Sequence, residues 1–443
     1  MKLSKRSSLL SNIASLGAVQ IVNYVFPLIS VPIVSRIIGP DRFGAINYVA
    51  AIVGYFTLLI SFGFDLTATR RISHDPQNIT LRNKVFSEVF FAQLLLLTVS
   101  TLIFIICLNI LPALNENHEI AIFTFFVCIS SVLTQNWLFQ AMQELKKIAI
   151  LNLVGRIIFT IVVLIVVQRK SDYVWQPLIN SLTQIIISVA SFTWAYKRFQ
   201  LHLTWVSFTS VTTLLKGESV IFFSMVVVNL YTVTNTVMLG AMTNTTEVGY
   251  YTAALRFLQI ATAVINIPIA QAMFPYIGRA FGTNKLSGIV KVREIFPLVF
   301  WFLLLVCVSM HVIGPMLLTW FYGKSFLPSI AAFKVLSIVP VVVAINNLLG
   351  TQVMLNLKMD RAFFFITLIG AAIGLALNYF MVQLFGFVGT AWNWLIVETY
   401  ITITMYIYLR CNNVNIISID NFRVSKMVGQ LKGFLSIRGK NSG

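Results

Sequence analysis

Charge is scarce in this sequence. Asp, Glu, Lys and Arg make up 10% of its 443 residues, where soluble domains carry about 25%. Hydrophobic residues make up 58%, so there are too few polar groups to cover a water-exposed fold of this length. No long polar segment separates the apolar runs, which excludes an attached soluble domain. Cysteine is also sparse. Cys107, Cys128, Cys307 and Cys411 include no CxxC spacing, so neither a disulfide framework nor a metal site is implied, and all four read as small packing residues. Acid is the rarest charge, 14 Asp and Glu against 32 Lys and Arg, a net charge of +18. An excess of that sign suits nucleic acid or the inner face of a membrane, and its distribution decides between them.

A membrane-spanning helix needs ~20 mostly apolar residues. Runs of that kind predict twelve spans at about 12–35, 43–64, 86–111, 120–142, 149–167, 175–196, 219–241, 248–272, 295–320, 330–355, 363–384 and 389–409. An even number leaves both termini on one side. With the N-terminus in the cytoplasm, only Arg36, Arg42, Arg169, Lys170 and Lys324 fall on the opposite face, and Arg156, Arg256 and Lys334 fall inside spans. All other Lys and Arg are then cytoplasmic, the bias that orients membrane proteins. The positive charge is thus a topology signal, and no nucleic-acid partner is expected. The start Met1-Lys2-Leu3-Ser4-Lys5-Arg6 is like the head of a signal peptide. The apolar run behind it is too long and lacks a small-residue cleavage site, so a retained first helix is expected.

Two stretches look alike. Ile37-Ile38-Gly39-Pro40-Asp41-Arg42-Phe43-Gly44, with Ala50-Ala51 beyond it, joins spans 1 and 2; Met238-Leu239-Gly240, then Glu247-Val248-Gly249 and Ala253-Ala254, joins spans 7 and 8. The spacing fits a parallel duplication of six helices. It divides the chain into an N-terminal six-helix lobe (1–196), a cytoplasmic linker (197–218), a C-terminal six-helix lobe (219–409) and a basic tail (410–443). The linker carries Trp205, Phe208 and Leu214-Leu215, and the tail Ile416, Ile417, Ile419, Phe422, Val424 and Met427. Both are expected to lie against the inner leaflet.

The Gly39–Gly44 turn, followed by Ser61-Phe62-Gly63-Phe64-Asp65 and Arg70-Arg71-Ile72, resembles the N-terminal signature of polysaccharide biosynthesis flippases. Val248–Arg256, Gln271-Ala272-Met273-Phe274-Pro275, Tyr322–Pro328 and Gly350-Thr351-Gln352-Val353-Met354 fit the same pattern. The chain resembles the O-antigen flippases called Wzx, in the multidrug/oligosaccharidyl-lipid/polysaccharide superfamily. The resemblance implies an all-α membrane protein of twelve helices, two six-helix lobes in a MATE-like V, working by alternating access. It implies an undecaprenyl-diphosphate-linked oligosaccharide substrate moved from the cytoplasmic to the periplasmic leaflet of the bacterial inner membrane. The lipid bilayer is the setting, and an O-antigen polymerase and a chain-length regulator are candidate partners. No cofactor is expected beyond a coupling ion, H+ or Na+.

An anionic headgroup crossing hydrocarbon asks for fixed positive charge in a polar cavity. Charges inside the membrane cost ~2.5–3.5 kcal/mol on insertion scales and mostly face a cavity or a partner. Arg256, Arg36, Arg156 and Lys334 are therefore the candidate diphosphate ligands, since a guanidinium fork matches phosphate oxygens. Snorkelling is the alternative for Arg36 and Lys334, snorkelling or pairing with a carbonyl for Arg156, and a structural role for Arg256, the deepest of the four by count. Glu398 in span 12 and Asp65 near the inner end of span 2 are candidates for proton or ion coupling, with an intramembrane salt bridge as the alternative for Glu398. His311 is a further titratable group, with a hydrogen-bonded packing histidine as the commoner alternative.

Of the uncharged polar residues Gln20, Asn23, Asn229, Asn235, Gln259, Asn266, Asn346, Asn347 and Gln352, the last three form the densest group and the glycan candidate. Interhelical hydrogen bonding is the alternative. Pro27, Pro32, Pro268, Pro275 and Pro340 should bend their helices. Gly370-Ala371-Ala372-Ile373-Gly374 is a small-residue packing face. Asn78-Ile79-Thr80 and Asn244-Thr245-Thr246 match the glycosylation pattern by chance. A drug exporter of the same fold would want acidic cavity residues, whereas the in-span charges here are mostly basic. A glycan polymerase or acyltransferase commonly carries a long catalytic loop, which is missing. A lipid II flippase shares the mechanism and is poorly separated by sequence.

Overall fold

The computed structural model describes the backbone of residues 2–416 together with residue 421, and side chains from residue 29 onward apart from 145, 228, 230–232, 260–276 and 279. Regular structure among the described residues is helical throughout, as an integral membrane protein of this composition requires. The helices are α1 (Lys2–Ser61), α2 (Phe64–Ser73), α3 (Ile79–Ile110), α4 (Pro112–Asn115), α5 (His118–Phe125), α6 (Val127–Leu133), α7 (Asn136–Ala141), α8 (Leu145–Val166), α9 (Trp175–Arg198), α10 (Phe208–Thr232), α11 (Thr234–Met242), α12 (Thr245–Thr283), α13 (Lys285–Tyr322), α14 (Ser329–Leu336), α15 (Val339–Asn347) and α16 (Asp360–Cys411). A π-helical turn, Leu348–Met354, follows α15.

Nine stretches among the described residues are long and apolar enough to cross a bilayer, and these do not by themselves establish the twelve expected. Two of the helices are themselves interrupted by a glycine with positive φ. Gly39 (φ 79°) interrupts α1, and Gly386 (φ 55°) interrupts the 52-residue α16, at the two places where the sequence predicted turns. Helix α12, whose middle side chains lie outside the described set, is not among the nine. Pro27, Pro268, Pro275, Gln20, Asn23, Asn266 and the tail from 417 also fall outside the described side chains, except for residue 421. Pro340 sits in the first turn of α15, after the break at Ser337–Ile338, where a missing N–H costs nothing. Asn78 and Asn244 are helix caps: their side-chain oxygens accept from the Leu81 and Glu247 amides at 2.9 and 3.0 Å.

Two compact units divide the chain: Met1–Thr252 with Phe321–Phe326, and Ala253–Trp320 with Leu327–Gly443. In the first unit the two look-alike turns meet backbone to backbone. A Cβ on Gly44 would overlap the carbonyl of Thr245, and one on Gly249 would overlap the carbonyl of Pro40. From there α1 runs along α11 and α10. Tyr48 covers Gly240, the Tyr55 hydroxyl bonds Thr234, and Phe62 stacks on Phe222 at 4.4 Å.

The segment after α9 is stitched to α3. Buried Arg82 donates to the carbonyls of Phe199 (2.6 Å) and Pro76 (3.2 Å). Asn83 accepts from the His202 amide and Ser87 from the Thr204 amide. These side chains satisfy backbone groups that have no helix to serve them. Trp205, 89% exposed, stands beyond this stitch.

In the second unit the halves of α16 fold back on each other at Gly386. Gly370 and Gly374 admit Ile401 and Val397, to 2.5 and 3.0 Å of where their Cβ atoms would be, which is the small-residue packing face expected there. This register sets Asn378 level with Asn393, both buried. Ile277, Val292, Ile295, Leu349, Val353, Met354, Ile401 and Met405 form the apolar core around it.

The Gly44 contact gives a test. Gly44→Ala should destabilise the purified protein by about 1–3 kcal/mol, the usual cost of overpacking, while Gly54→Ala, whose Cβ meets nothing within 4 Å, should cause no loss. Thermal unfolding in one detergent compares the two.

Candidate functional site

Three elements of the first unit border an open cavity of about 420 Å³, within the range of small-molecule sites. Helix α8 contributes Ile148, Asn152, Gly155, Arg156 and Phe159, and α9 contributes Asn180, Thr183, Gln184, Ile187, Ser188 and Ser191. Both sets recur at three- and four-residue intervals, so each lies on one face of its helix. The third wall is Ser130, Thr134 and Asn136, at the junction of α6 and α7.

The packing explains why these faces meet. Helices α8 and α9 are antiparallel and close, since Gly155 lets Ile187 come to 2.8 Å of where a Cβ would be. Lys147 sits over the Trp194 ring at 4.2 Å, and Ser181 donates to the Phe123 carbonyl at 2.6 Å. The span expected as continuous at 120–142 is broken. Thr134 and Gln135 leave the helical region (ψ 103° and 56°), and buried Gln135 turns its amide onto the Val132 carbonyl at 2.7 Å. Irregular backbone at membrane depth is tolerated where protein or a polar cavity surrounds it.

Arg156 is the charged residue in the lining; no carboxylate accompanies it. Its side chain is exposed and has no ion-pair or hydrogen-bond partner among the described residues. Gln184 Nε2 donates to Asn180 Oδ1 at 3.2 Å. Ser191 is fully buried, and its hydroxyl has no partner within the protein, an arrangement that folded proteins rarely leave without reason. The cavity therefore offers one fixed cation, several neutral donors and several neutral acceptors.

The other expected site residues are scattered. Arg36 is exposed, and its Nε donates to the Phe321 carbonyl at 3.1 Å, capping the end of α13 where a cation is favoured. Asp65 is exposed in the first turn of α2, where a carboxylate complements the helix dipole. Arg256 is exposed on α12 and takes part in interactions of its own. Lys334 is exposed in the last turn of α14, and its carbonyl accepts from Ser337 at 2.7 Å.

Glu398 is buried, and it does not meet an arginine there. Asn346 Nδ2 donates to one of its oxygens at 2.8 Å, and Trp394 Nε1 to the other at 3.3 Å. Asn347 is exposed, while Gln352 lies in the π-helical turn with its buried carbonyl oxygen unpartnered in the protein. The structure thus joins Asn346 to Glu398 and leaves Asn347 out of that pair. A second cavity, about 480 Å³, lies by the α10 N-terminus, where Arg71 and Glu88 pair at 2.7 Å and largely cancel each other's charge.

The polysaccharide biosynthesis protein family model matches residues 9–281. The chain belongs to the polysaccharide biosynthesis protein family. Among relatives, it is similar to the Escherichia coli (strain K12) protein named "Putative O-antigen transporter", 25% identical over 420 residues that cover 92% of this chain and 98% of that protein. The fold is that of the lipid II flippase MurJ in an inward closed conformation, with a TM-score of 0.71 and 11% identity, covering 99% of this chain and 93% of that one. An inward-facing multidrug MATE transporter matches at a TM-score of 0.65 and 13% identity, over 89% of this chain and 94% of that one. This polysaccharide biosynthesis protein therefore shares its architecture with transporters of the MOP superfamily.

Sequence reasoning found Arg156 and passed over Asn152, Asn180 and Gln184. Their signal was present: amides and hydroxyls at helical spacing inside apolar spans. The broken α6–α7 junction had no comparable signal.

If the lining is wet, thiols placed there will ionise and react. In a chain with its four cysteines replaced, Arg156→Cys and Gln184→Cys should react with a charged, membrane-impermeant thiol reagent at least about tenfold faster than Ile165→Cys. Ile165 is an exposed apolar position elsewhere on α8. Mass spectrometry of the labelled protein gives the rates.

Proposed function

We propose that this family member is a flippase for undecaprenyl-diphosphate-linked oligosaccharide repeat units, carrying them from the cytoplasmic to the periplasmic leaflet by alternating access. The observation that carries the reading is the polar cavity whose lining has Arg156 as its charge and no carboxylate. A cation without an internal partner in a membrane helix is costly, and an anionic ligand offsets that cost. Charge-assisted hydrogen bonds to phosphate are the strong ones. The same lining disfavours organic cations, which would meet repulsion and find no carboxylate. The name of the Escherichia coli relative supports O-antigen units as the substrate class.

The rest of the proposal follows from charge and burial. The distribution of Lys and Arg supports cytoplasmic N- and C-termini in the bacterial inner membrane. Arg256, Arg36 and Lys334 are further candidates for headgroup contact, and Asn346, Asn347 and Gln352 for the glycan. Glu398, held by two neutral donors, is the candidate for coupling to H+ or Na+, with Asp65 second. An O-antigen polymerase and a chain-length regulator are the expected downstream partners.

In a strain lacking its own flippase, Arg156→Gln should lower O-polysaccharide export about tenfold or more at equal protein level, consistent with the ~1.5–3 kcal/mol of a charged hydrogen bond. Arg156→Lys should keep part of it, and Arg256→Ala should also lower export. Glu398→Gln should abolish dependence on the ion gradient in vesicles. Full export by Arg156→Gln would remove the headgroup reading.

A further inference from the structure

The cavity holds more acceptors than a diphosphate can use, and that surplus indicates what else enters it. Phosphate oxygens accept hydrogen bonds and donate none, so Arg156 serves them and an amide carbonyl does not. Yet Asn152, Asn180 and Gln184 each bring a carbonyl oxygen to the lining. The Gln184–Asn180 bond at 3.2 Å holds the two side chains in register and commits one donor and one acceptor. Gln184 Oε1 and an Asn180 N–H then remain as an acceptor beside a donor. Sugar hydroxyls and acetamido N–H groups are the ligand chemistry that answers paired donors and acceptors. Thr134, at the broken α6–α7 junction, adds a hydroxyl at a point where the backbone is not helical.

We infer that this cavity is a sugar-reading subsite, in which Asn180 and Gln184 determine which glycan is accepted while Arg156 holds the adjoining phosphate. The inference rests on the flippase reading above. It places glycan discrimination inside the first unit, on α8 and α9, in addition to the candidates around Glu398, where Asn346 already donates to the carboxylate. A site that hydrogen-bonds a substrate group rejects analogues lacking it far better than an apolar site does, because its own polar groups are then left unpaired.

The test uses the full-length protein in detergent and two short-chain probes, farnesyl diphosphate and farnesyl-diphosphate-linked N-acetylglucosamine. Wild type should bind both, the sugar-bearing probe more tightly. Asn180→Leu and Gln184→Leu should each weaken the sugar-bearing probe about tenfold or more and leave farnesyl diphosphate unchanged, which also reports that the variants are folded. Arg156→Gln should weaken both probes. Unchanged affinity of the Leu variants for the sugar-bearing probe overturns the sugar-reading role, and so does equal weakening of both probes. Arg156→Gln without effect on either probe overturns the headgroup reading instead, and wild type that binds neither probe overturns both.

Discussion

Hydrocarbon supplies no hydrogen-bond partner, and the polar residues of this protein are arranged around that constraint. Arg82, Glu398 and Arg156 show two ways of meeting it: a partner within the protein, or a place beside a cavity. Arg82 takes the first course, spending its donors on the Phe199 and Pro76 carbonyls where the chain leaves α9. Glu398 does the same with Asn346 and Trp394. Arg156 takes the second, on a helix face shared with Asn152 and opposite Gln184. The division between paired and cavity-lining polarity follows from partner availability rather than from residue type. Arg36 and Arg156 carry the same guanidinium, and one caps a helix end while the other lines a cavity.

Close backbone approach is the second organising feature. Gly44 and Gly249 allow two turns of similar sequence to touch, and Gly155 allows α8 and α9 to converge beneath the cavity. In a membrane, packing between helices gains little from the hydrophobic effect, because lipid tails are as apolar as the side chains they replace. Small residues therefore set where helices approach closely. The cavity exists because the α8–α9 contact is tight at Gly155 while the neighbouring positions carry amides and hydroxyls that do not fill the space.

Much of the fold was legible in particular residues. The apolar runs announced membrane helices, and the gaps between them at 36–42 and 385–388 held the turns found at Gly39 and Gly386. Gly370 and Gly374 were legible as a packing face. The site was legible only in part. Arg156 was visible as a charge in an apolar run, but so were Arg256 and Lys334, and sequence ranked Arg256 above it. The α6–α7 break stayed hidden because Thr134-Gln135 contains neither glycine nor proline, and glutamine, whose side chain here turns back onto the Val132 carbonyl, is not a residue type that marks a break. The paired Asn346 and Glu398 lie far apart in the chain, and nothing local links them.

By itself the sequence determined the solvent. A chain with 58% hydrophobic and 10% charged residues must fold in a bilayer, and its excess of Lys and Arg over Asp and Glu carries the expectation for its orientation. Hydropathy and charge bias are sums over local residues, so they survive without coordinates. Which polar groups serve each other and which border a cavity was decided only by the tertiary structure. That outcome depends on distances of about 3 Å between side chains from different helices, and helix rotation and register set those distances.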